Sequence, residues 1–309
     1  ASIMKKNGNS KKVDVYQMVT DRVIEQMQHG IIPWQRPWTG GGGCVNYVSR
    51  KPYSHLNQLL LGRPGEWLTF KQIQECGGHI KKGAKASFVV FYAQRVVSKT
   101  KHIKDEETGE ERDEQVESLK PVLRYYNVFH IDDCEGIESK MQQSDDECKL
   151  QPVERAEQII GGYVSREQGL KFINDKVTGE AYYSPATDTV VVPMMSQYEI
   201  VEEYYSTTFH ELTHSTMTAD RCDRSHDLKH AAFGTETYSR EELVAELGSA
   251  MLCNIAGLDC AKAFKNSVAY IQGWMKELRD DKKAIVWAAS RSEKAARYIY
   301  NGERVANTI

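Results

Sequence analysis

Residues 204–218 read YYSTTFHELTHSTMT, and the pentapeptide His210-Glu211-Leu212-Thr213-His214 within them constrains the local backbone more than any other stretch of the chain. Two imidazoles four residues apart meet on one side only if the backbone is α-helical, where positions i and i+4 lie one above the other. Tyr205, Phe209, Leu212 and Thr216 give such a helix an apolar side behind the histidines, so the pattern predicts a helix over 197–218. A histidine pair of this kind can grip one metal ion while Glu211 reaches a bound water. The plainer alternative is a buried helix whose two histidines are merely hydrogen-bonded.

A catalytic zinc needs a third protein ligand and keeps its fourth position for water. The metzincin arrangement would put Gly at 217 and His at 220, but the chain has Met217 and Asp220. Further on, YSREELVAELGSAMLCNIAGL predicts a second strong helix, with Ser239 as N-cap, Glu242 closing a capping box and Gly257 as the stop. Glu242 and Glu246 stand four apart on it, one able to bind the ion and the other able to orient a ligand histidine. The glutamate-zincin spacing favours Glu242 as ligand with Glu246 in support; Glu246 as ligand is second and Glu241 third. His226 and His230 are rival ligands in the intervening loop. The ion would be Zn2+, with another divalent metal such as Mn2+ as the substitute. Glu211 would move the proton of the attacking water to the leaving amine. Tyr238 and His230 are candidates for a second donor at the oxyanion, and the strand in TVVVP is a candidate edge for an extended peptide.

The rest of the chain poses a different question. The overall charge of -3 conceals fourteen Lys/Arg against five Asp/Glu in residues 1–98, the remainder being acidic. That basic stretch carries Trp34, Arg36, Trp38, Arg50, Lys51 and Tyr53, then Lys81, Lys82 and Lys85 in the turn KKGAK. Cations interleaved with flat rings bind single-stranded nucleic acid, with bases on rings and phosphates on charges. No helix-turn-helix, RRM or zinc-finger pattern points to sequence-specific reading.

No apolar run of eighteen residues predicts a membrane span, and the first thirty residues lack the apolar core of a signal peptide. Seven cysteines without a CxxC pair suit reduced thiols, and the expected location is cytoplasmic.

Segment by segment, 13–29 predicts an amphipathic helix, EWLTFKQIQECGG a short helix, and ASFVVFYAQRVV and PVLRYYNVFHI paired strands. Between those strands, 99–118 is almost wholly polar and reads as a solvated hairpin loop or a disordered insertion. The expected class is α+β in two domains: a small mixed α/β unit (1–131), an acidic linker (132–152) and a helix-rich unit (153–309).

Taken together, PWQRPW, NYVSRKPYSHLNQLLL, EWLTFKQIQECGGHIKKGAKASFVVFYAQ, AYYSPATDTVVVP, HELTHST and REELVAELGSAML resemble, in this order, the ArdC-type antirestriction proteins of conjugative plasmids. The resemblance implies an N-terminal single-stranded-DNA-binding domain, similar to one in TraC-type plasmid primases, joined to a zincin-like metallopeptidase domain. It implies that such a protein shields incoming plasmid DNA from host restriction during conjugation. Partners would be single-stranded DNA, double-stranded DNA as a further one, and a protein substrate such as a host restriction component. Matching motif positions are His210, Glu211 and His214 with Glu242 or Glu246. Two other readings stay open: a DNA-coating protein with a structural or inactive metal site, and a metal-dependent hydrolase of another class.

Overall fold

A computed structural model describes residues 13–35, 43–104, 111–141, 152–224, 236–259 and 268–303. The fold is mixed α and β, and its first half is built on one sheet. β1 (Cys44–Asn46) runs parallel to β2 (Gly65–Thr69), which pairs antiparallel with β5 (Glu111–His130), which pairs antiparallel with β4 (Ser87–Lys104). A two-residue pair, β3 (His79–Ile80) with β6 (Cys134–Glu135), lies apart from it. Helix α1 (Val15–Gln28) is capped by the Asp14 carboxylate, which accepts from Gln17 N at 3.2 Å, and it buries Val19, Val23, Ile24 and Met27. Helices α2 (His55–Leu61) and α3 (Phe70–Glu75) complete this half.

Two expectations change here. EWLTFKQIQECGG is a strand followed by a helix. Glu66, Trp67 and Leu68 are all buried between two partner strands, and the helix starts only at a capping box formed by Thr69 and Gln72. Residues 99–104 and 111–118 are strand rather than loop, because the β4–β5 ladder continues to Lys104↔Glu111; residues 105–110 lie outside the described residues. From the acidic segment after 131, the buried Glu66 carboxylate is satisfied by two donors: Ser139 Oγ at 2.7 Å and Lys140 N at 3.0 Å.

The second half opens with α4 (Pro152–Arg166) and a small sheet in the order β7 (Lys171–Ile173), β9 (Thr189–Val191), β8 (Tyr182–Ser184). The TVVVP strand is therefore central rather than an edge. Helices α5 (Val201–Ser215), α6 (Glu236–Ala256), α7 (Val268–Asp280) and α8 (Ala284–Asn301) follow. α6 already runs through Ser239, which is thus inside the helix and not its cap, while Gly257 at φ +80° ends it.

Two apolar cores hold these pieces. One packs α4, β9, α5, α6 and α8 through Tyr163, Val190, Phe209, Leu212, Leu252 and Ile299. The other draws on both halves: Val23 and Met27 of α1, Trp34, Leu59 and Leu60 of α2, and Val90 and Leu123 of the sheet meet Leu243 and Leu247 of α6 and Ile285 and Ala288 of α8. Among the described residues no helix is long and apolar enough to cross a membrane. Cys44, Cys76, Cys134 and Cys222 are free thiols, but Cys253 is disulfide-bonded, so the all-reduced reading does not hold at that position.

Candidate metal centre

α5 and α6 build the site by approaching unusually closely. A Cβ on Gly248 of α6 would fall 2.6 Å from Thr213 Cγ2 of α5, so the crossing requires glycine there. Ser249 Oγ donates to Ser206 O across the same contact at 2.7 Å. On α5, Phe209 and Leu212 point into the apolar core and are fully buried, and His210 and His214 face the carboxylates of α6.

At the crossing, His210 Nε2 and His214 Nε2 stand 3.1 Å apart, and each lies 3.4 Å from one oxygen of Glu242. One ligand atom from each of these three residues falls within 4.8 Å of the other two. Burial alone would depress His214, yet the Glu241 and Glu242 carboxylates raise it to about 10. Burial would likewise raise Glu242, but hydrogen bonds to His210 and His214 hold its carboxyl well below the usual range. Two imidazoles and an ionised carboxylate converging on one point suit a divalent cation, and the trio keeps partial access to solvent.

The acid that faces the outer nitrogen of His214 is Glu241, the third of the acids that the sequence offered. Its Oε1 lies 3.5 Å from His214 Nδ1, the ring nitrogen facing away from the cluster. Arg224 holds Glu241 with two bonds, Nη2 to Oε1 at 2.7 Å and Nε to Oε2 at 3.0 Å, and also donates to Thr216 Oγ1 and Thr213 O. Sequence reasoning missed Arg224, which follows α5 in an irregular turn that no periodicity marks. A second arginine anchors this turn: Arg221 pairs with Glu167 and Asp188 and donates to Ser215 O. Glu246 is buried on the His210 side beside Tyr270; burial raises its pKa, and its Oε2 has no hydrogen-bond partner among the described residues. Glu211 is buried within α5. His226 and His230 lie outside the described residues, as does the side chain of Tyr238.

The nucleic-acid candidates scatter. Trp34 has no exposed surface and stands edge-on to Trp274 at 6.1 Å, so it is a core residue and cannot stack on a base. Arg36 and Trp38 lie outside the described residues. Arg50 is ion-paired to the buried Glu66. Lys51, Lys82 and Lys85 are exposed, Lys81 donates to Asp132 O at 2.7 Å, and Tyr53 is half-buried with its hydroxyl accepting from Asn46 Nδ2.

Comparison with known proteins places these features. The sequence profile of the N-terminal domain of the anti-restriction factor ArdC matches residues 13–129, and that of a zincin-like metallopeptidase matches residues 163–291. Two Escherichia coli proteins named DNA primase TraC are 29% identical over 307 and 304 residues; this chain spans only 20% and 27% of their lengths. The protein y4eC of Sinorhizobium fredii is 29% identical over 301 residues, covering 93% of this chain and 92% of its own. The metal-free crystal structure of the antirestriction protein ArdC from plasmid R388 superposes with a TM-score of 0.64 at 30% identity, over 93% of this chain and 97% of that one. Its Mn(II)-bound structure gives 0.65 at 29% identity, over 96% and 100%. This chain therefore belongs to the ArdC family of antirestriction proteins, with an ArdC-type N-terminal domain followed by a zincin-like one.

Proposed function

We propose that this protein binds single-stranded DNA without sequence preference through its N-terminal unit (residues 1–131), carries a HExxH-plus-glutamate metallopeptidase site in residues 153–309, and protects incoming conjugative DNA from host restriction. The observation that carries the reading is the convergence of His210, His214 and Glu242 from two helices, with the buried Glu211 following His210 in the chain. A structural zinc site has no use for an acid in that place.

His210, His214 and Glu242 would hold Zn2+ or, as in the R388 relative, Mn(II). Such a cation lowers the pKa of a bound water and polarises a carbonyl oxygen. Glu211 takes the proton of the attacking water and delivers it to the leaving amine nitrogen. Glu241, fixed by Arg224, keeps the His214 ring turned with Nε2 toward the cluster. Among the described residues, β8 is the sheet edge packed against α5, and it is where an extended peptide would dock. A host restriction component is the class of protein substrate that fits the biological role.

The test is restriction protection during conjugation by wild type and Glu211→Ala, after matching their fold and metal content. Loss of protection in the variant ties the chemistry at the histidines to the biological role. Full protection refutes that link and leaves the role to DNA coating.

A further inference from the structure

One face of the β4–β5 ribbon has a composition that packing does not require. The ladder pairs residues one to one, so odd positions of β4 and even positions of β5 share a face. At its inner end this face is core, with Val89 and Val128 buried beside Trp67. Just beyond, it presents Phe91 and Tyr126, each 46% exposed, with ring centroids 6.0 Å apart. Tyr53 extends the row at 6.4 Å from Phe91. Arg124 stands directly opposite Phe91, and the pair Arg95 and Lys120 stands farther out on the same face, all exposed. Between 87–97 and 118–128 no Asp or Glu occupies this face at all. The opposite face differs: its inner Val90 and Leu123 are buried against the helices in the core shared by both halves.

We infer that the row Tyr53–Phe91–Tyr126, continued by Arg124, Arg95 and Lys120, is the surface on which single-stranded DNA lies, its bases on the rings and its phosphates along the cations. The inference rests on the single-stranded-DNA reading above and gives it a place, which the tryptophan and lysine motifs of the sequence did not. Rings left in water beside cations, with no acid to repel phosphate, fit a strand whose bases are free to unstack; the bases of a duplex are not. Phe91 also borders a recess of about 390 Å3 between the sheet and α8, whose other sheet residues, Val90, Tyr92 and Leu123, belong to the opposite face. Its rim includes Glu293, which is ion-paired to Arg297.

The experiment is fluorescence anisotropy of a labelled oligothymidine with the full-length protein across a salt series. Phe91→Ala/Tyr126→Ala should bind at least about tenfold more weakly with an unchanged salt slope, because it removes stacking and no charge. Arg95→Ala/Lys120→Ala/Arg124→Ala should flatten the slope by about 2, at roughly 0.7 per cation for single strands. Phe91→Tyr/Tyr126→Phe should restore binding, which general damage to the sheet would not allow. Wild type that binds alongside an alanine variant within twofold of it overturns the face but spares the single-stranded-DNA reading. Wild type that fails to bind at low salt overturns both. Should the alanine variant misfold, photocrosslinking of wild type to a 5-iododeoxyuridine oligonucleotide decides: crosslinks to Phe91 or Tyr126 support the face, and crosslinks only elsewhere overturn it.

Discussion

At the scale of single residues, the centre is a histidine pair whose imidazoles are aimed by carboxylates. His210 and His214 were legible because spacing alone brings i and i+4 together on a helix, while Glu242 stood first among three acids of the following helix. Glu241 was visible only as a neighbour of Glu242, and nothing in the sequence tells which of two adjacent helix acids turns toward the histidine. That choice is made by Arg224, whose guanidinium, fully buried, demands a carboxylate partner. Two outcomes follow. Arg224→Met should lower thermal stability by about 3–5 kcal/mol, since it strands the buried Glu241 charge. Glu241→Gln should bind Mn(II) about 10–100-fold more weakly while keeping every ligand. Calorimetric titration and melting curves check both; a Glu241→Gln protein with unchanged affinity would deny that Glu241 orients His214.

At the scale of elements, the crossing of α5 and α6 sets the site. Both helices could be read from periodicity, but their separation could not, because Gly248 looks like any glycine in an Ala-rich helix until Thr213 is seen against it. Gly248→Ala should push the helices apart, cost about 1–3 kcal/mol and weaken metal binding, and adding Thr213→Ala should recover much of both. Another element carries a pH signature. His55, the first residue of α2, is buried and its pKa is lowered to about 4 by burial. The unfolded ring titrates near 6.5, so the unfolded chain takes up the proton first. The stabilisation from the neutral ring is therefore complete above 6.5 and is lost as pH falls toward 4, by up to about 3 kcal/mol. His55→Gln should flatten the stability profile between those limits; an unchanged profile would show that the ring is not what titrates.

At the scale of the whole molecule, the two halves that sequence composition separates share a core. The division into halves rests on the charge asymmetry and the acidic stretch after 131, because charge is carried by surface residues that any reader can count. The union was hidden in apolar residues far apart in sequence. Trp34, in a Pro- and Gly-rich segment among cations, reads as a stacking residue until Trp274 is found against it, 240 positions later. Trp34→Ala should cost about 3–5 kcal/mol and lower one common unfolding transition rather than that of the N-terminal half alone. Two well-separated transitions in wild type would contradict the shared core.

The claim on which the rest depends is the identity of the ligands. Mn(II) binding should be measured for wild type, Glu242→Ala and Glu246→Ala, with the fold of each confirmed. Loss of binding in Glu242→Ala with retention in Glu246→Ala is the result this geometry predicts. Retention in Glu242→Ala with loss in Glu246→Ala would contradict it and move the metal to the other side of His210.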